Sequence, residues 1–231
     1  MEPNELKERI KGVVVVMTTL FKSNFELDEK GLRKQTRFLI DSGIKNGSGV
    51  LIPAGSTGEC PMLTDEERKR VVQIVKEEAK DEVPVVAGCN HTDTRTVIKL
   101  VHHMDEVGAD GVMISPPYYW APSEDIILNH YRNIAKETKL GIMVYNNFFA
   151  SQVDIPIETM AKLAEIPNIV ALKECTPIIS KFIRIITALG DKISIINGSG
   201  TAHEPACASV GAKGFVSGEA NFIPKTSLEV Y

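Results

Sequence analysis

The sequence predicts a single (β/α)8 TIM barrel, and three observations lead to this prediction. Short apolar runs rich in Val and Ile recur along the chain, and a longer segment with helical periodicity follows each run. Eight such runs are present, and no linker rich in Gly, Pro or Ser separates them. The first run continues into the sequence MTTLF at Met17–Phe21 and not into the GxGxxG turn of a dinucleotide-binding sheet. We therefore expect one barrel domain over residues 1–231.

The eight predicted strands are short and follow one another at regular intervals. They are Val13–Thr18, Ser48–Ile52, Pro84–Ala87, Gly111–Ile114, Gly141–Tyr145, Ile169–Lys173, Ile193–Ile196 and Gly214–Val216. Only about a dozen residues follow the last strand, which is too few for the full final helix of such a barrel. We therefore expect the C-terminal helical cap to be truncated or absent.

Amphipathic segments between the strands are predicted to form the helices that cover the barrel. The clearest is Asp65–Lys80, in which one apolar stripe runs among Glu, Lys and Arg side chains. Three helices are expected to begin after a residue whose side chain accepts a hydrogen bond from the first turn, namely Thr64, Asp93 and Ser123.

Composition and charge exclude several classes of function. Of the 231 residues, 43% are hydrophobic and 24% are charged, which allows a sizeable core without disulfides or metals. The net charge is −4 and no basic block is present, so we expect no binding to nucleic acid. No apolar run reaches the about 18 residues of a membrane span, and the charged N-terminus differs from a signal peptide. We expect a cytoplasmic protein without a membrane partner.

The cysteine and histidine residues do not indicate a metal site or a disulfide framework. The cysteines form no CxxC pair and have no histidine at zinc-finger spacing; they are Cys60, Cys89, Cys175 and Cys207. We interpret Cys175, which follows an apolar run and a lysine, as a spectator thiol. The five histidines are expected to be structural or solvated.

Lys173 is the candidate nucleophile. The active site of a (β/α)8 barrel lies at the C-terminal ends of its strands, and Lys173 is the only lysine that closes an apolar strand. Removal from water disfavours the charged form of an amine, and a neutral amine can attack a carbonyl to form a Schiff base. In the alternative interpretation the lysine stem crosses the rim and its ammonium reaches water or a carboxylate. Position alone does not separate the two.

Tyr145 ends the strand that precedes the strand of Lys173, so both side chains can face the same barrel mouth. A phenol there can relay protons while a Schiff base forms, because that reaction expels water and later readmits it. A rim tyrosine that packs against a helix is the alternative.

Glycine-containing turns after three of the strands are candidate anion-binding sites. The turn Gly55–Glu59, with sequence GSTGE, presents backbone N–H groups and hydroxyls suited to a substrate carboxylate. A tight turn with solvated hydroxyls explains the same sequence. The loops Asn197–Gly200 and Ser217–Glu219 lie where many barrels bind phosphate. No Lys or Arg flanks them, which weakens the alternative of a sugar-phosphate enzyme.

Four motifs occur in a characteristic order along the chain. They are GSTGE after the second strand, PPYY after the fourth, VYNN at the fifth and ALKE at the sixth. Together, from about Gly12 to Tyr231, they resemble the dihydrodipicolinate synthase and N-acetylneuraminate lyase family of class I, Schiff-base-forming aldolases. The resemblance implies a lyase that needs no metal or cofactor, because its substrate binds covalently to the protein.

The resemblance also implies catalytic roles for three residues. Lys173 would form the imine with the keto carbon of pyruvate or another 2-oxo acid, and Tyr145 would relay protons. Tyr119 matches the tyrosine that reaches into the site of a neighbouring subunit. Family members are usually homotetramers built as dimers of dimers, so we expect a homo-oligomer.

Four further residues are expected to bind the substrate. By the same resemblance Ser56 and Thr57 would hold its carboxylate, and Gly55 and Val216 are assigned as additional substrate contacts. All four lie at or just beyond the C-terminal ends of predicted strands.

Three departures from the family pattern affect the pocket for a second substrate. Synthases usually read YNxPxR after the fifth strand, and their Arg binds the carboxylate of aspartate semialdehyde. This chain reads YNNFFA, with Phe148 in place of the Pro and Ala150 in place of the Arg. Trp120 replaces the Asn that commonly follows the paired tyrosines. An alanine cannot bind a carboxylate through two hydrogen bonds, so we expect an altered and more apolar pocket.

The resemblance and its departures lead to three hypotheses about function. The leading one is a Schiff-base lyase, an aldolase or dehydratase, acting on pyruvate or a 2-oxo acid such as a 2-keto-3-deoxy sugar acid. The first alternative is a 4-hydroxy-tetrahydrodipicolinate synthase that condenses pyruvate with aspartate semialdehyde despite Ala150. The second is a non-catalytic sensor of 2-oxo acids, against which the presence of both Lys173 and Tyr145 argues.

Overall fold

Eight parallel strands form the centre of the fold, which confirms the predicted TIM barrel. The computed structural model describes residues 1–231. The strands are β1 (Gly12–Val16), β2 (Gly49–Ile52), β3 (Val86–Gly88), β4 (Gly111–Ile114), β5 (Gly141–Asn146), β6 (Ile169–Glu174), β7 (Ser194–Asn197) and β8 (Gly214–Val216).

Two of the strands differ from their predicted bounds by two residues. Thr18 lies beyond β1, because its N–H donates to the Asn221 side chain at 3.2 Å and not to a neighbouring strand. Pro84 lies before β3, because proline has no N–H for the ladder. Its carbonyl still accepts a hydrogen bond from the Leu51 N–H at 2.9 Å.

The strands pair in the order β2-β1-β8-β7-β6-β5-β4-β3. A parallel bridge from Leu51 to Val85 joins the two ends of this order and closes the barrel. Between β5 and β6 the register sets Tyr145 beside Lys173. The two candidate catalytic residues are therefore neighbours across one strand pair.

Ten α-helices accompany the strands, and those that lie between strands cover the outside of the barrel. They are α1 (Pro3–Arg9), α2 (Glu29–Asp41), α3 (Asp65–Ala79), α4 (Thr94–Glu106), α5 (Glu124–Lys136), α6 (Phe148–Ser151), α7 (Ile157–Leu163), α8 (Ile179–Leu189), α9 (Glu204–Ser209) and α10 (Pro224–Val230). The predicted N-caps are confirmed: Thr64, Asp93 and Ser123 accept hydrogen bonds from the first turns of α3, α4 and α5. None of the helices has the length and apolar character needed to span a membrane.

Helix α1, which the sequence analysis did not predict, closes the N-terminal end of the barrel. Pro3 stands in its first turn, where the missing N–H costs no hydrogen bond. Leu6 and Ile10 are buried among side chains of the barrel interior. Room for Leu6 exists because Gly111 and Gly141 lack side chains; a Cβ at Gly111 would lie 2.4 Å from the Leu6 Cδ2 atom. Apolar packing fills this end of the barrel, so chemistry is left to the other end.

Strand alternation decides which side chains enter the barrel. On β6, Ala171 belongs to the apolar cluster inside the barrel, and Leu172 belongs to the cluster between the sheet and the helices. Continuation of this alternation directs Lys173 inward and Glu174 outward. Tyr145 of β5 also belongs to the inner cluster.

Candidate active site

Lys173 and Tyr145 lie side by side at the C-terminal end of the barrel. The Lys173 Nζ atom is over the Tyr145 ring, 4.1 Å from the ring centroid. Both residues are buried, with 4% of Lys173 and 3% of Tyr145 exposed. The structure thus brings an amine and a phenol together at the barrel mouth, as the sequence analysis expects.

Lys173 has no carboxylate partner at this position. The neighbouring Glu174 faces the other side of the sheet and pairs with Lys181, at 3.7 Å between Nζ and Oε1. The alternative for this residue was a lysine whose ammonium reaches water or a carboxylate at the rim. Lys173 is buried and has no carboxylate partner, so it does not fit that alternative. The structure therefore favours the interpretation of Lys173 as a reactive amine.

A network on the outer side of the sheet ties the ends of β5 and β6 together. The Asn146 Nδ2 group donates to the Glu174 Oε2 atom at 2.8 Å and to the Asp154 Oδ1 atom at 3.0 Å. The Thr176 N–H donates to the Glu174 Oε1 atom at 2.8 Å, and Lys181 lies beside both carboxylates. Burial raises the pKa of Glu174, because protein replaces water around its charge. No role was predicted for Asn146 and Glu174, the last residues of β5 and β6, although strand alternation indicates that both face outward.

A further contact reaches Tyr145 from the start of α6. The Asn147 Nδ2 group donates to the Tyr145 hydroxyl oxygen at 2.7 Å. The same side chain caps α6, since its Oδ1 atom accepts from the Phe149 N–H at 3.0 Å. Sequence reasoning missed Asn147; its position directly before a helix was the available signal.

The turn after β2 is held over the barrel interior by close backbone contacts. A Cβ at Gly55 would lie 2.6 Å from the Cγ1 atom of Val16, an interior residue. A Cβ at Gly58 would lie 2.7 Å from the Met17 carbonyl oxygen. Only glycine fits these two approaches, so the GSTGE sequence has a structural reason in addition to any role in binding.

Ser56 and Thr57 are exposed on this turn. The Glu59 N–H closes the turn on the Ser56 carbonyl at 3.0 Å, but the hydroxyls of Ser56 and Thr57 form no hydrogen bond within the chain. Unpartnered hydroxyls at a barrel mouth are available to a ligand with acceptor oxygens, such as a carboxylate.

Val216 ends β8 and faces the same mouth. It pairs with Val14 in the register, and its half-buried side chain packs against the inner cluster. The structure therefore brings Val216 and the Gly55 turn to the same barrel end as Lys173 and Tyr145.

Tyr119, in contrast, lies apart from the buried pair. Its side chain is 76% exposed and packs edge to face on Trp120, with ring centroids 5.2 Å apart. Its φ of 85° is in the left-handed region, which a bulky side chain rarely adopts. The exposed side chain lines, together with Pro117 and Ile126, an apolar surface cavity of about 590 Å³.

Cys175 and His130 are held by contacts within the chain. Burial raises the pKa of Cys175 to about 11, and its Sγ atom contacts the Gly198 carbonyl at 3.3 Å, which agrees with a spectator thiol. Burial lowers the pKa of His130 to about 4, and its Nδ1 atom shares a hydrogen bond of 2.8 Å with the Thr94 hydroxyl. No group of three or more His, Cys, Asp and Glu side chains is arranged to hold a metal ion.

Carboxylates lie beside the two other loops considered as anion sites. Glu204 accepts a hydrogen bond from the Asn197 Nδ2 group at 2.9 Å, and Glu219 accepts one from the Ser217 hydroxyl at 3.2 Å. A phosphate is stabilised by donors and positive charge, and neighbouring carboxylates oppose it. The alternative of a sugar-phosphate enzyme therefore gains no support from these loops.

Comparison with known sequences gives matches over most of the chain. A sequence profile of the Dihydrodipicolinate synthetase family matches residues 9–231. The 4-hydroxy-tetrahydrodipicolinate synthase of Geotalea uraniireducens (strain Rf4) is 39% identical over 215 residues, which are 93% of this chain and 72% of that protein.

Solved structures agree with this result. The crystal structure of dihydrodipicolinate synthase from Aquifex aeolicus matches with a TM-score of 0.88 and 34% identity, over 95% of this chain and 73% of that one. The chloride-inhibited dihydrodipicolinate synthase from Acinetobacter baumannii, complexed with pyruvate, matches with a TM-score of 0.89 and 30% identity, over 95% of this chain and 74% of that one.

Proposed function

This chain belongs to the dihydrodipicolinate synthetase family of lyases, and from that premise we propose that it acts on pyruvate or a related 2-oxo acid through an imine on Lys173. The observation that carries the proposal is the buried Lys173 amine, 4.1 Å above the Tyr145 ring and without a carboxylate partner. A related synthase holds pyruvate in its solved structure, which supports the substrate class.

The proposed reaction begins with attack of the Lys173 Nζ atom on the keto carbon. A C–N bond forms, the carbonyl oxygen takes up a proton, and the carbinolamine then loses water to give the iminium. We assign these proton transfers to the Tyr145 phenol, and the proximity of its ring to the amine, 4.1 Å from the Lys173 Nζ atom to the ring centroid, supports this role.

In aldol cleavage the C3–C4 bond breaks toward the iminium as the C4 hydroxyl loses its proton, which gives an aldehyde and an enamine. In dehydration the C3 proton is lost and the resulting enamine expels the C4 hydroxyl, which takes up a proton and leaves as water. Protonation of the enamine after cleavage, and hydrolysis of the iminium in both cases, release the 2-oxo acid and free Lys173.

The substrate carboxylate is proposed to bind at the turn after β2. Ser56 and Thr57 offer free hydroxyls there, and Gly55 and Val216 would shape the wall beside the keto group. The covalent imine supplies the electron sink, so the proposed chemistry uses neither a cofactor nor a metal ion.

The second half of the substrate is proposed to lie against α6. Phe148 is 56% exposed at its start, and Ala150 is exposed where the family pattern has an arginine. Without that arginine, an uncharged group suits this part of the pocket better than a second carboxylate. Such a group is the polyol half of a 2-keto-3-deoxy sugar acid or the aryl group of an aryl-substituted pyruvate.

The second candidate is a synthase that condenses pyruvate with aspartate semialdehyde. The name of the Geotalea relative favours it, and the alanine at position 150 speaks against it. Family membership favours either enzyme over a non-catalytic sensor. Product formation from the two substrates, compared between the natural chain and Ala150→Arg, tests this candidate: appreciable coupling by the natural chain would establish it.

We further propose a cytoplasmic homotetramer, built as a dimer of dimers, in which Tyr119 enters the site of the neighbouring subunit. The exposed position of Tyr119 supports this arrangement, because the side chain is accessible to a neighbouring subunit and its backbone is held in a strained conformation of the kind found at functional sites. Mixed oligomers of Tyr119→Phe and Lys173→Ala chains test it, since active sites would form only where each subunit supplies the residue that the other lacks.

Reduction with borohydride in the presence of pyruvate tests the imine directly. We expect one pyruvate-derived adduct per chain, mapped by peptide mass to Lys173 and absent from Lys173→Ala. Lys213→Ala, at an exposed lysine on the opposite side of the barrel, is the matched control and is expected to label fully. Folded protein that forms no adduct with pyruvate or larger 2-oxo acids would contradict the proposal.

A further inference from the structure

Asn147 connects the phenol of Tyr145 to helix α6. Its Nδ2 group donates to the Tyr145 hydroxyl oxygen at 2.7 Å. Its Oδ1 atom accepts from the N–H groups of Phe149, at 3.0 Å, and Ala150, at 3.4 Å. One side chain therefore satisfies the start of the helix and contacts the proposed proton relay.

The helix cap determines which way the Asn147 amide faces. Only the oxygen of the amide can accept from the backbone N–H groups of α6, so the NH2 group must face Tyr145. An NH2 group is a donor only, and the phenol oxygen must therefore act as the acceptor. The hydroxyl proton of Tyr145 is then left to be directed at another acceptor in the barrel mouth.

The position of Asn147 is further held by its own backbone. The Asn147 carbonyl accepts from the Ser151 N–H and from the Ser151 hydroxyl, both at 2.9 Å, and Ser151 is fully buried. Asn147 is therefore bonded to α6 through both its side chain and its backbone carbonyl. In the family pattern YNxPxR, Asn147 occupies the unspecified position.

We propose that Asn147 is a positioning residue, which holds the Tyr145 hydroxyl oxygen as an acceptor and so leaves its proton for the substrate in the barrel mouth. The proposal rests on the imine chemistry proposed above. It also links the two halves of the site, because α6, the helix that carries Phe148 and Ala150, is capped by the same side chain. Asn147 acts through Tyr145 and itself touches no reacting atom.

Three substitutions separate the contact with the phenol from the helix cap. Asn147→Ser and Asn147→Asp keep an oxygen that can cap α6 but lack the NH2 donor, and Asn147→Ala lacks both. We expect the rate of pyruvate-imine formation to fall about 3- to 10-fold in Asn147→Ser and Asn147→Ala, the effect of one lost hydrogen bond. Asn147→Asp should fall at least as far, because a carboxylate accepts the phenol proton and turns it away from the site. If only the cap matters, Ser and Asp will match the natural chain and the proposal is overturned.

A double-substitution test asks whether Asn147 acts through Tyr145. In a Tyr145→Phe background there is no hydroxyl to orient, so we expect Asn147→Ser to change the rate of imine formation less than twofold. A full 3- to 10-fold loss in that background would show that Asn147 acts by another route. Pyruvate affinity, measured from the concentration dependence of trapping, should stay unchanged in the single variant, since the positioning role concerns the rate.

A spectroscopic readout makes the result independent of activity. The chain has five tyrosines, and labelling with [13Cζ]-tyrosine gives a resonance for each. Asn147→Ser should shift the resonance of Tyr145 and leave that of Tyr131, whose hydroxyl donates to the Ile114 carbonyl at 2.7 Å, in place. An unmoved Tyr145 resonance overturns the inference. If the natural chain forms no adduct with pyruvate, the proposed function fails. The shift of the Tyr145 resonance in Asn147→Ser then still tests whether Asn147 holds the phenol.

Discussion

The two sides of the barrel mouth differ in how their polar groups are bonded. At the ends of β5 and β6, Asn147 donates to the Tyr145 phenol, and Glu174 accepts two hydrogen bonds. On the turn after β2, the hydroxyls of Ser56 and Thr57 are exposed and have no partner in the chain. The polar groups on one side are therefore held by protein contacts, and we expect those on the other side to find their partners in a bound substrate.

This difference separates the expected roles of the two sides. A group held by protein contacts contributes to stability and keeps its geometry through the reaction, which is what a proton relay needs. A group without a partner contributes little to folding and is free to bind a ligand. Substitutions beside β5 and β6 should thus change rate and stability, and substitutions on the β2 turn should change affinity.

The largest effect is expected for Tyr145→Phe. Loss of a general acid and base lowers kcat about 10²- to 10⁴-fold, and pyruvate affinity should change far less. The measurement is steady-state turnover together with trapping at varied pyruvate concentrations. Tyr131→Phe is the matched control: it removes a buried hydroxyl bonded to Ile114, costs about 1 kcal/mol of stability and should leave kcat intact. If Tyr145→Phe kept the kcat of the natural chain, the side of the mouth formed by β5 and β6 would not determine the rate.

The comparison also depends on pH, because the scaffold has its own acid-sensitive group. Burial holds the pKa of His130 at about 4, whereas the unfolded chain binds this proton near 6.5. The contribution of neutral His130 to the free energy of unfolding is therefore complete above pH 6.5. It is lost as the pH falls toward 4, and the total loss is about 3 kcal/mol. Urea unfolding at pH 7.5 and pH 5 should show about 2 kcal/mol of this loss in the natural chain and a smaller loss in His130→Gln. Equal losses would place the acid sensitivity elsewhere.

Glu174→Ala is expected to lower stability by about 2 kcal/mol, through lost hydrogen bonds to its buried carboxylate. Because this residue joins the strands that carry the amine and the phenol, kcat should fall with it. Urea unfolding and turnover provide the two measurements. Glu165→Ala removes an exposed ion pair with Lys192 and should stay within about 0.5 kcal/mol. If Glu174→Ala changed neither quantity, the two sides of the mouth would not differ in the way described.

The smallest change in stability is expected for Ser56→Ala and Thr57→Val. Because neither hydroxyl has a partner in the chain, the free energy of unfolding should stay within about 0.5 kcal/mol of the natural value. Each loss of a hydrogen bond to the substrate carboxylate should weaken pyruvate binding about 3- to 10-fold. Binding is read from the concentration dependence of trapping. A marked loss of stability, or unchanged affinity, would show that the turn is a structural element.

Much of the fold could be predicted because its information is local. Buried strands and amphipathic helices have distinct periods, so all eight strands were located within about two residues. The N-caps Thr64, Asp93 and Ser123 were likewise visible, since capping involves residues within one turn. Helix α1 was missed because it is short and charged, and its burial depends on space that Gly111 leaves far along the chain.

The candidate site was predictable in part. Lys173 and Tyr145 could be selected as polar residues at the ends of apolar strands, and the family resemblance supplied their proposed roles. Asn147 and Glu174 were not selected, because their importance lies in the partners that they bond. Tyr145 could be selected because it ends an apolar strand, whereas only the resemblance pointed to Tyr119, which lies in the loop beyond the fourth strand and is exposed.

By itself the sequence determined the alternation of strands and helices, the barrel class, the family and the two strand-end residues at its centre, because periodic burial and short motifs are properties of neighbouring residues. Only the tertiary structure decided that the Lys173 amine lies over the Tyr145 ring, that Asn147 donates to the phenol, and that the hydroxyls on the β2 turn stay free. These facts depend on strand register and on contacts between side chains of different elements, which local periodicity does not specify.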